Sequence, residues 1–439
     1  MYSATTKSRR LSEQLDRLPS CRRWGRLQAV CGPVLSAVLP QARVGEVVEV
    51  GRERKAALVV AFDGQRAQLL CLEAAEGLKG GEEILADGLP DVVPFSAACL
   101  GRILDARGKP IDGLGALAAE EMLEVDFAPP PPLRRRPLDQ PLITGLRVID
   151  CLLPLARGQR VSLMAGPGMG KSTLLGQLVR GARADCVVLA LVGERGREVN
   201  EFISRDLGEE GLRRSVVVCA TSDCPAAERA RALPLATALA HGFRRRGKSV
   251  LLLADSLTRH ARALREVALG SGEPLLGRGY PPSVFGALAA LLEKAGDDGR
   301  QSITAIYTVL VEGEENEDAL AEEVKSLLDG HLVLSAELAR AGIFPAIDVG
   351  ASLSRLADRV ALPEQMRLAA QAKFLWSIYH NRRLLIESGL YQEGSDHDID
   401  RARRFYPRLL QWLRQDSQQL ADPGEGLKAL RLLLEENHG

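Results

Sequence analysis

No stretch of the chain is apolar for long enough to cross a bilayer. The longest run without a charged side chain, residues 27–42, is broken by Gly32, Pro33 and Pro40 and falls short of the roughly 20 residues a spanning helix needs. The amino terminus is basic but lacks an apolar core and a small-residue cleavage site, so it does not read as a secretory signal. Cysteine pairs are missing too: eight cysteines stand at 21, 31, 71, 99, 151, 186, 219 and 224 without a CxxC motif. They read as reduced, small buried hydrophobes of a cytoplasmic protein. Aromatic residues make up only 4%, which leaves Leu, Val and Ala to build the core. An excess of one charge is absent as well: 57 Lys and Arg balance 57 Asp and Glu. A generic nucleic-acid binder, which needs a net basic field, is therefore not expected.

What is present divides the chain. At about 100–200 residues per domain, 439 residues suggest two to four domains. Residues 1–26 hold seven Lys or Arg against Glu13 and Asp16, a local charge of +5; this basic arm reads equally as a membrane-surface helix or as a solvated terminus. Residues 27–93 carry short β-rich runs (GEVVEV, AALVVAF, AQLLCL) between Gly-containing turns, the spacing of a small barrel or sandwich. The Pro-rich segment at 128–141 reads as a stiff connector. Beyond it, RVSLMAG, CVVLALVG, SVVVCATS, KSVLLLADS and QSITAIYTVLV are near-continuous apolar runs separated by helical patterns, as in a parallel sheet covered on both faces. This α/β part extends over 94–365. From 366 to 439 the strand signals end and helical spacing takes over, with Leu368, Leu375 and Ile378, then Ile399, Ala402, Phe405, Leu409 and Leu413. Pro407 is expected to kink or interrupt the second helix.

Three motifs carry chemistry. AGPGMGKST, residues 165–173, follows a strand-like run and precedes a helix-like one, the context of a phosphate-binding P-loop. Gly166, Gly168 and Gly170 let backbone N–H groups, with Pro167 and Met169 between them, curl around phosphate oxygens at a helix N-terminus. Lys171 is expected to reach the β and γ phosphates, Ser172 to ligate Mg²⁺, and Thr173 to complete the loop. Ala165 stands where the strict pattern has its first glycine. VLLLAD, residues 250–255, supplies the acidic partner for the metal, Asp255, at a buried strand end. VGERGREV, residues 192–199, places Glu194 to orient the attacking water and Arg195 to steady phosphoryl charge.

With CATSD, VLLLADSLTRHARA, GEPLLGRGYPPSVF, TAIYTVLVEGEENED, LLDGHLVLSAELA and PAIDVGASLSR following in order, the ensemble resembles the catalytic subunits of rotary ATPases. More closely, it is similar to the ATPases of type III secretion systems, including flagellar export; GERGREV in place of the synthase GERTREG and TSD after the next strand favour that branch. The resemblance covers roughly residues 25–400. It implies a small β-barrel, a RecA-like ATPase core and a C-terminal α-helical domain, assembled as a homohexamer that uses ATP and Mg²⁺. It also implies that Arg355, in SLSR, is an arginine finger entering a neighbour's site. Implied partners are stalk and stator or regulator proteins, chaperone–effector complexes and the cytoplasmic face of the inner membrane. No adenine-contact aromatic stands in RLADRVALPEQ, and the acidic run 311–323 reads as a solvated loop. Two other functions remain open from residues alone. An RNA-dependent hexameric motor like the transcription terminator is disfavoured because 27–93 contain Phe62 as their only aromatic; a noncatalytic nucleotide-binding scaffold is disfavoured by Glu194.

Overall fold

The computed structural model describes residues 22–275, 279–311 and 318–435. The basic arm's residues 1–21 lie outside these. Its last four residues do not belong to an arm: the first strand, β1 (Arg23–Cys31), begins at Arg23. It pairs with β2 (Val34–Val38), and β3 (Glu46–Val50), β4 (Lys55–Asp63), β5 (Arg66–Cys71) and β6 (Glu83–Pro90) complete a closed barrel in the order β1-β2-β5-β4-β3-β6. Alternation along each strand turns Leu27, Leu35, Val48, Val50, Val59, Leu69 and Ile84 inward, and closure leaves no free sheet edge. Because β1 starts early, it brings Trp24, 61% exposed, onto the barrel surface, a second aromatic beside Phe62 that counting from residue 27 omits.

The core strands are β7 (Ile103–Leu104), β8 (Arg160–Ala165), β9 (Cys186–Val192), β10 (Ser215–Ala220), β11 (Val250–Asp255), β12 (Ser302–Leu310), β13 (Gly330–Val333) and β14 (Leu353–Ser354). Their spatial order is β14-β13-β8-β12-β11-β9-β10-β7. All neighbours run parallel except the edge pair β13 and β14. Every residue of β9, β10 and β11 is buried, which explains their unbroken apolar character: helices cover both faces. Among these helices are α1 (Lys171–Gly181), α2 (Ala226–Arg245) and α3 (Leu257–Gly270).

Three further helices, α4 (Pro363–Glu387), α5 (His397–Leu413) and α6 (Pro423–Glu435), end the chain. Their apolar faces, through Leu368, Leu375, Trp376, Phe405 and Leu409, join one cluster with Leu152, Leu334 and Ile347 of the α/β part. Of the two expected outcomes at Pro407, the interruption does not occur: α5 is continuous through it. Pro407 and Arg403, whose carbonyl would have been its partner four residues back, are both exposed, so water satisfies the freed oxygen while the buried face holds the helix. The acidic run also departs from a loop in its second half. Ala319–Leu327 is helical, and Asp318 caps it by accepting from Leu320 N at 2.9 Å and Ala321 N at 3.2 Å; burial of Leu320 and Ala321 supplies the driving force. Residues 312–317 of that run lie outside the described residues.

A close approach fastens α2 to the β-ribbon Val92–Phe95 and Glu121–Glu124, which follows the barrel. A Cβ on Gly242 would lie 2.6 Å from Leu123 Cδ1 and 2.8 Å from Phe95 Cζ. Overpacking of that kind costs about 1–3 kcal/mol, whereas replacing a helical glycine by alanine returns at most about 1 kcal/mol. Gly242→Ala is therefore expected to lower the thermal unfolding temperature; an unchanged or raised temperature would show that the helix can move off the ribbon.

Candidate active site

The ends of β8, β9, β11 and β12 meet at the carboxyl edge of the sheet, where open α/β sheets bind ligands. The turn Gly166–Gly170 leaves β8 and enters α1 there. Gly168 and Gly170 have φ of +73° and +80°, values at which a side chain would be strained. The Gly166 N–H donates to Met169 Sδ at 3.3 Å, so Met169 braces the turn from inside. Pro167 and Gly168 are exposed at its apex, and the Ser172 and Thr173 side chains lie exposed in the first turn of α1.

Lys171 does not point into solvent. Its Nζ donates to Asp255 Oδ1 at 2.5 Å and to Glu194 Oε1 at 3.4 Å. Glu194 and Asp255 are both nearly buried, 8% and 4% exposed. The strands that bring them, β9 and β11, are neighbours in the sheet, with Leu191 opposite Asp255. Asp255 takes a second hydrogen bond on the same oxygen, from Thr308 Oγ1 at 2.8 Å; Thr308 lies on β12, between the P-loop strand and the strand of Asp255. Arg259, at the start of α3, pairs with Glu194 Oε2 at 3.2 Å and donates to the Gly193 carbonyl. Its own N–H is fixed by the α3 cap, Ser256 Oγ, at 3.2 Å.

Burial pushes the Glu194 carboxyl above the usual glutamate range, the Lys171 ammonium pulls it back, Asp255 adds to the rise and Arg259 opposes it. A hydrogen bond with Glu194 holds the neighbouring Glu198 below its usual range. The site thus contains a buried glutamate whose proton affinity is raised by burial and restrained by two cations, an arrangement suited to handling a proton.

Two expected residues stand apart from this cluster. Arg195 follows Glu194 directly, but its side chain is 78% exposed and pairs with Glu198 at 3.3 Å. Arg355 lies just past β14, whose Ser354 pairs with Gly330 at the start of β13. Its N–H donates to the Asp329 carbonyl at 3.0 Å, and Asp329 in turn donates its N–H to the carbonyl of Arg160, the first residue of β8, at 2.8 Å and accepts the Arg160 N–H on Oδ2 at 3.1 Å. The five steps from Arg160 to Ala165 along β8 separate that end from the P-loop by about 17 Å at 3.3 Å per step, so Arg355 is at the wrong end of the sheet to serve its own chain's P-loop. Its side chain is exposed, with Nη2 on the Lys325 carbonyl at 3.2 Å.

Residue patterns did not flag Thr308, Arg259 or Phe344. A hydroxyl in the otherwise apolar run TAIYTVLV and an arginine four residues after a strand-ending aspartate were the available signals. Phe344, 41% exposed, sits where a Cβ on Gly170 would meet its ring at 3.0 Å, and its carbonyl accepts from Gln415 N at 2.8 Å. The segment after α5 also clasps α1: Gln177 Nε2 donates to the Asp416 carbonyl at 3.2 Å and Arg180 Nη2 to that of Ser417 at 2.8 Å.

For Mg²⁺ the donor set fits. The metal uses one or two protein oxygens together with phosphate and water, and the Ser172 hydroxyl and the Asp255 carboxylate flank Lys171 as such a pair. Among the described residues no cluster of three or more His, Cys, Asp or Glu side chains is placed to hold a metal by itself.

Comparison with known proteins gives the same picture. Residues 145–354 match the family model of the ATP synthase alpha/beta family, nucleotide-binding domain, and residues 361–431 that of the T3SS EscN ATPase C-terminal domain. The chain is 46% identical over 414 residues to the SPI-2 type 3 secretion system ATPase of Salmonella typhimurium, covering 94% of this chain and 95% of that protein. It is 43% identical over 431 residues to the flagellum-specific ATP synthase of the same organism, covering 95% and 94%. The assembled ATPase EscN from the enteropathogenic E. coli type III secretion system superposes with a TM-score of 0.89 at 42% identity, over 93% of this chain and all of that one. EscN in complex with its central stalk EscO superposes with a TM-score of 0.86 at 41% identity, over 93% of this chain and all of that one.

Because the Arg259 charge favours ionised Glu194, its removal raises that carboxyl further. In Arg259→Met the acid limb of the pH profile of ATP hydrolysis is expected to move to higher pH; a limb at the wild-type position would mean that Glu194 does not set it.

Proposed function

The chain belongs to the type III secretion system ATPases, and from that premise we propose that it hydrolyses Mg-ATP at the interfaces of a homohexamer to drive chaperone release, unfolding and export of protein substrates. The observation that carries this reading is the position of the two halves of the site in one chain. Lys171, Glu194 and Asp255 are assembled at the carboxyl edge of the sheet, whereas Arg355 is exposed at the opposite end. A chain built this way completes its site only with a neighbour, and a ring of identical chains does so at every interface.

In this reading the N–H groups of Gly166–Gly170 and the N-terminus of α1 hold the phosphates, and Lys171 turns from Asp255 to the β and γ phosphate oxygens. Ser172 and Asp255 hold Mg²⁺, which when bound neutralises charge on the phosphates. Glu194 orients the attacking water, and its raised proton affinity suits it to accept a proton as the oxygen attacks. Arg259 keeps Glu194 ionised until then. The neighbour's Arg355 adds charge against the terminal phosphoryl group as the bond to the leaving oxygen lengthens. Arg195 stays at the rim with Glu198. Phe344 presents its half-exposed ring beside the P-loop as the surface for the nucleobase. The barrel, Arg23–Pro90, serves ring assembly, and α4 to α6 meet stalk, stator or regulator and chaperone–effector partners, at the cytoplasmic face of the inner membrane. No described helix is long and apolar enough to cross a membrane.

Lys171→Ala and Arg355→Ala are each expected to lose most ATP turnover, about a thousandfold or more for the arginine. Mixed in equal amounts, the two inactive proteins should regain activity, because an intact P-loop then meets an intact arginine at some interfaces. Steady-state hydrolysis on size-separated oligomers measures this; a mixture as inactive as its components would refute the shared site.

A further inference from the structure

Arg355 is carried by an edge strand of two residues, β14, paired to β13 only through Ser354 with Gly330 and Leu353 with His331. So short a ladder gives little hold on the residue that follows it. A buried amide supplies more. Gln159, fully buried in the turn before β8, donates from Nε2 to the Asp329 carbonyl at 3.0 Å and to Ser354 Oγ at 3.2 Å. Its Oε1 accepts from Ala156 N at 2.8 Å, and Ser354 Oγ passes its own proton to the Pro154 carbonyl at 2.7 Å.

Every group in this set has a partner, which makes it rigid. It also grips Arg355 from two sides. The Asp329 carbonyl that takes Nε2 also takes the Arg355 N–H, and Ser354 is the residue immediately before Arg355. Gln159 itself is anchored in the sheet: its carbonyl accepts from Ala305 N at 3.0 Å on β12. One residue later β8 begins, and β8 ends at the P-loop.

We propose that Gln159 is a positioning residue for Arg355, holding through Asp329 and Ser354 the arginine that a subunit lends to its neighbour. The proposal rests on the reading that Arg355 acts across the interface. Its chemical basis is geometric: an error on the order of 1 Å in placing a charged catalytic group costs about a hundredfold in rate, and a two-residue edge strand without its amide clamp has that freedom. The clamp also gives β8 two roles, with the chain's own phosphate loop at one end and, at the other, the arginine it lends to its neighbour.

The test uses the full-length assembled protein. Gln159→Met keeps the length of the side chain and removes all three hydrogen bonds; Ser354→Ala removes the second half of the clamp and carries the test alone if the first variant does not assemble. Each is expected to lower kcat for ATP roughly ten- to a hundredfold with KM changed less than about twofold. A defect of this kind belongs to the lender of the arginine. Mixing either variant with Lys171→Ala should therefore restore turnover to the level reached by the Arg355→Ala and Lys171→Ala pair, whereas mixing it with Arg355→Ala should restore none. Turnover that stays low with Lys171→Ala while the control pair recovers would overturn the proposal, since Gln159 would then act on its own P-loop or on the fold. A control pair that fails to recover would instead remove the shared-interface reading, and the proposal with it.

Discussion

One ammonium between two buried carboxylates organises the molecule. Lys171 opens α1, Glu194 follows β9 and Asp255 ends β11, and in a poorly solvated site each unpaired charge would cost several kcal/mol. Their mutual pairing makes the cluster tolerable, and it also sets what can replace it. In the proposed mechanism a phosphate chain would take the cation and a divalent ion the aspartate, so that Mg-nucleotide would replace the Lys171–Asp255 pair from both sides, where free phosphate or free metal would satisfy one side and strand the other. Thr308 and Arg259 keep the two acids in place while this exchange occurs.

The sheet order gives that cluster its reach. β8 and β9 follow one another in the chain, yet β12 and β11 lie between them in the sheet. The strand of Asp255 therefore lies next to that of Glu194, and Lys171, entering from the P-loop side, reaches both acids. The same sheet separates the phosphate loop from Arg355 by the length of β8. Under the proposed shared site, that distance makes assembly and catalysis one requirement.

Much of this was legible in the residues. The P-loop, Asp255 and Glu194 each stand at the end of an apolar run, and strand ends of a parallel sheet converge, so motif and location reinforced one another. The helical end was legible from spacing, although Pro407 broke a local rule that the buried face of α5 overrode, and the acidic run hid a capped helix because its charges mask Leu320 and Ala321. Thr308, Arg259, Phe344 and Gln159 were not legible as site residues. Their importance comes from which strands and loops are neighbours, and a linear pattern does not encode spatial order. Phe344 shows this well: no aromatic follows Arg355 in RLADRVALPEQ, while the fold places one eleven residues upstream, beside Gly170.

The central claim, that the Lys171 pairing is exchanged for phosphate and metal at a shared interface, is tested most directly by determining the structure of the assembled protein with Mg²⁺ and a non-hydrolysable ATP analogue. The account predicts that Lys171 Nζ leaves Asp255 Oδ1 for the phosphate oxygens while Arg355 of the neighbouring subunit comes against the terminal phosphate. Nucleotide bound with the Lys171–Asp255 pair still closed at 2.5 Å, or a site completed by the chain's own Arg355, would contradict it.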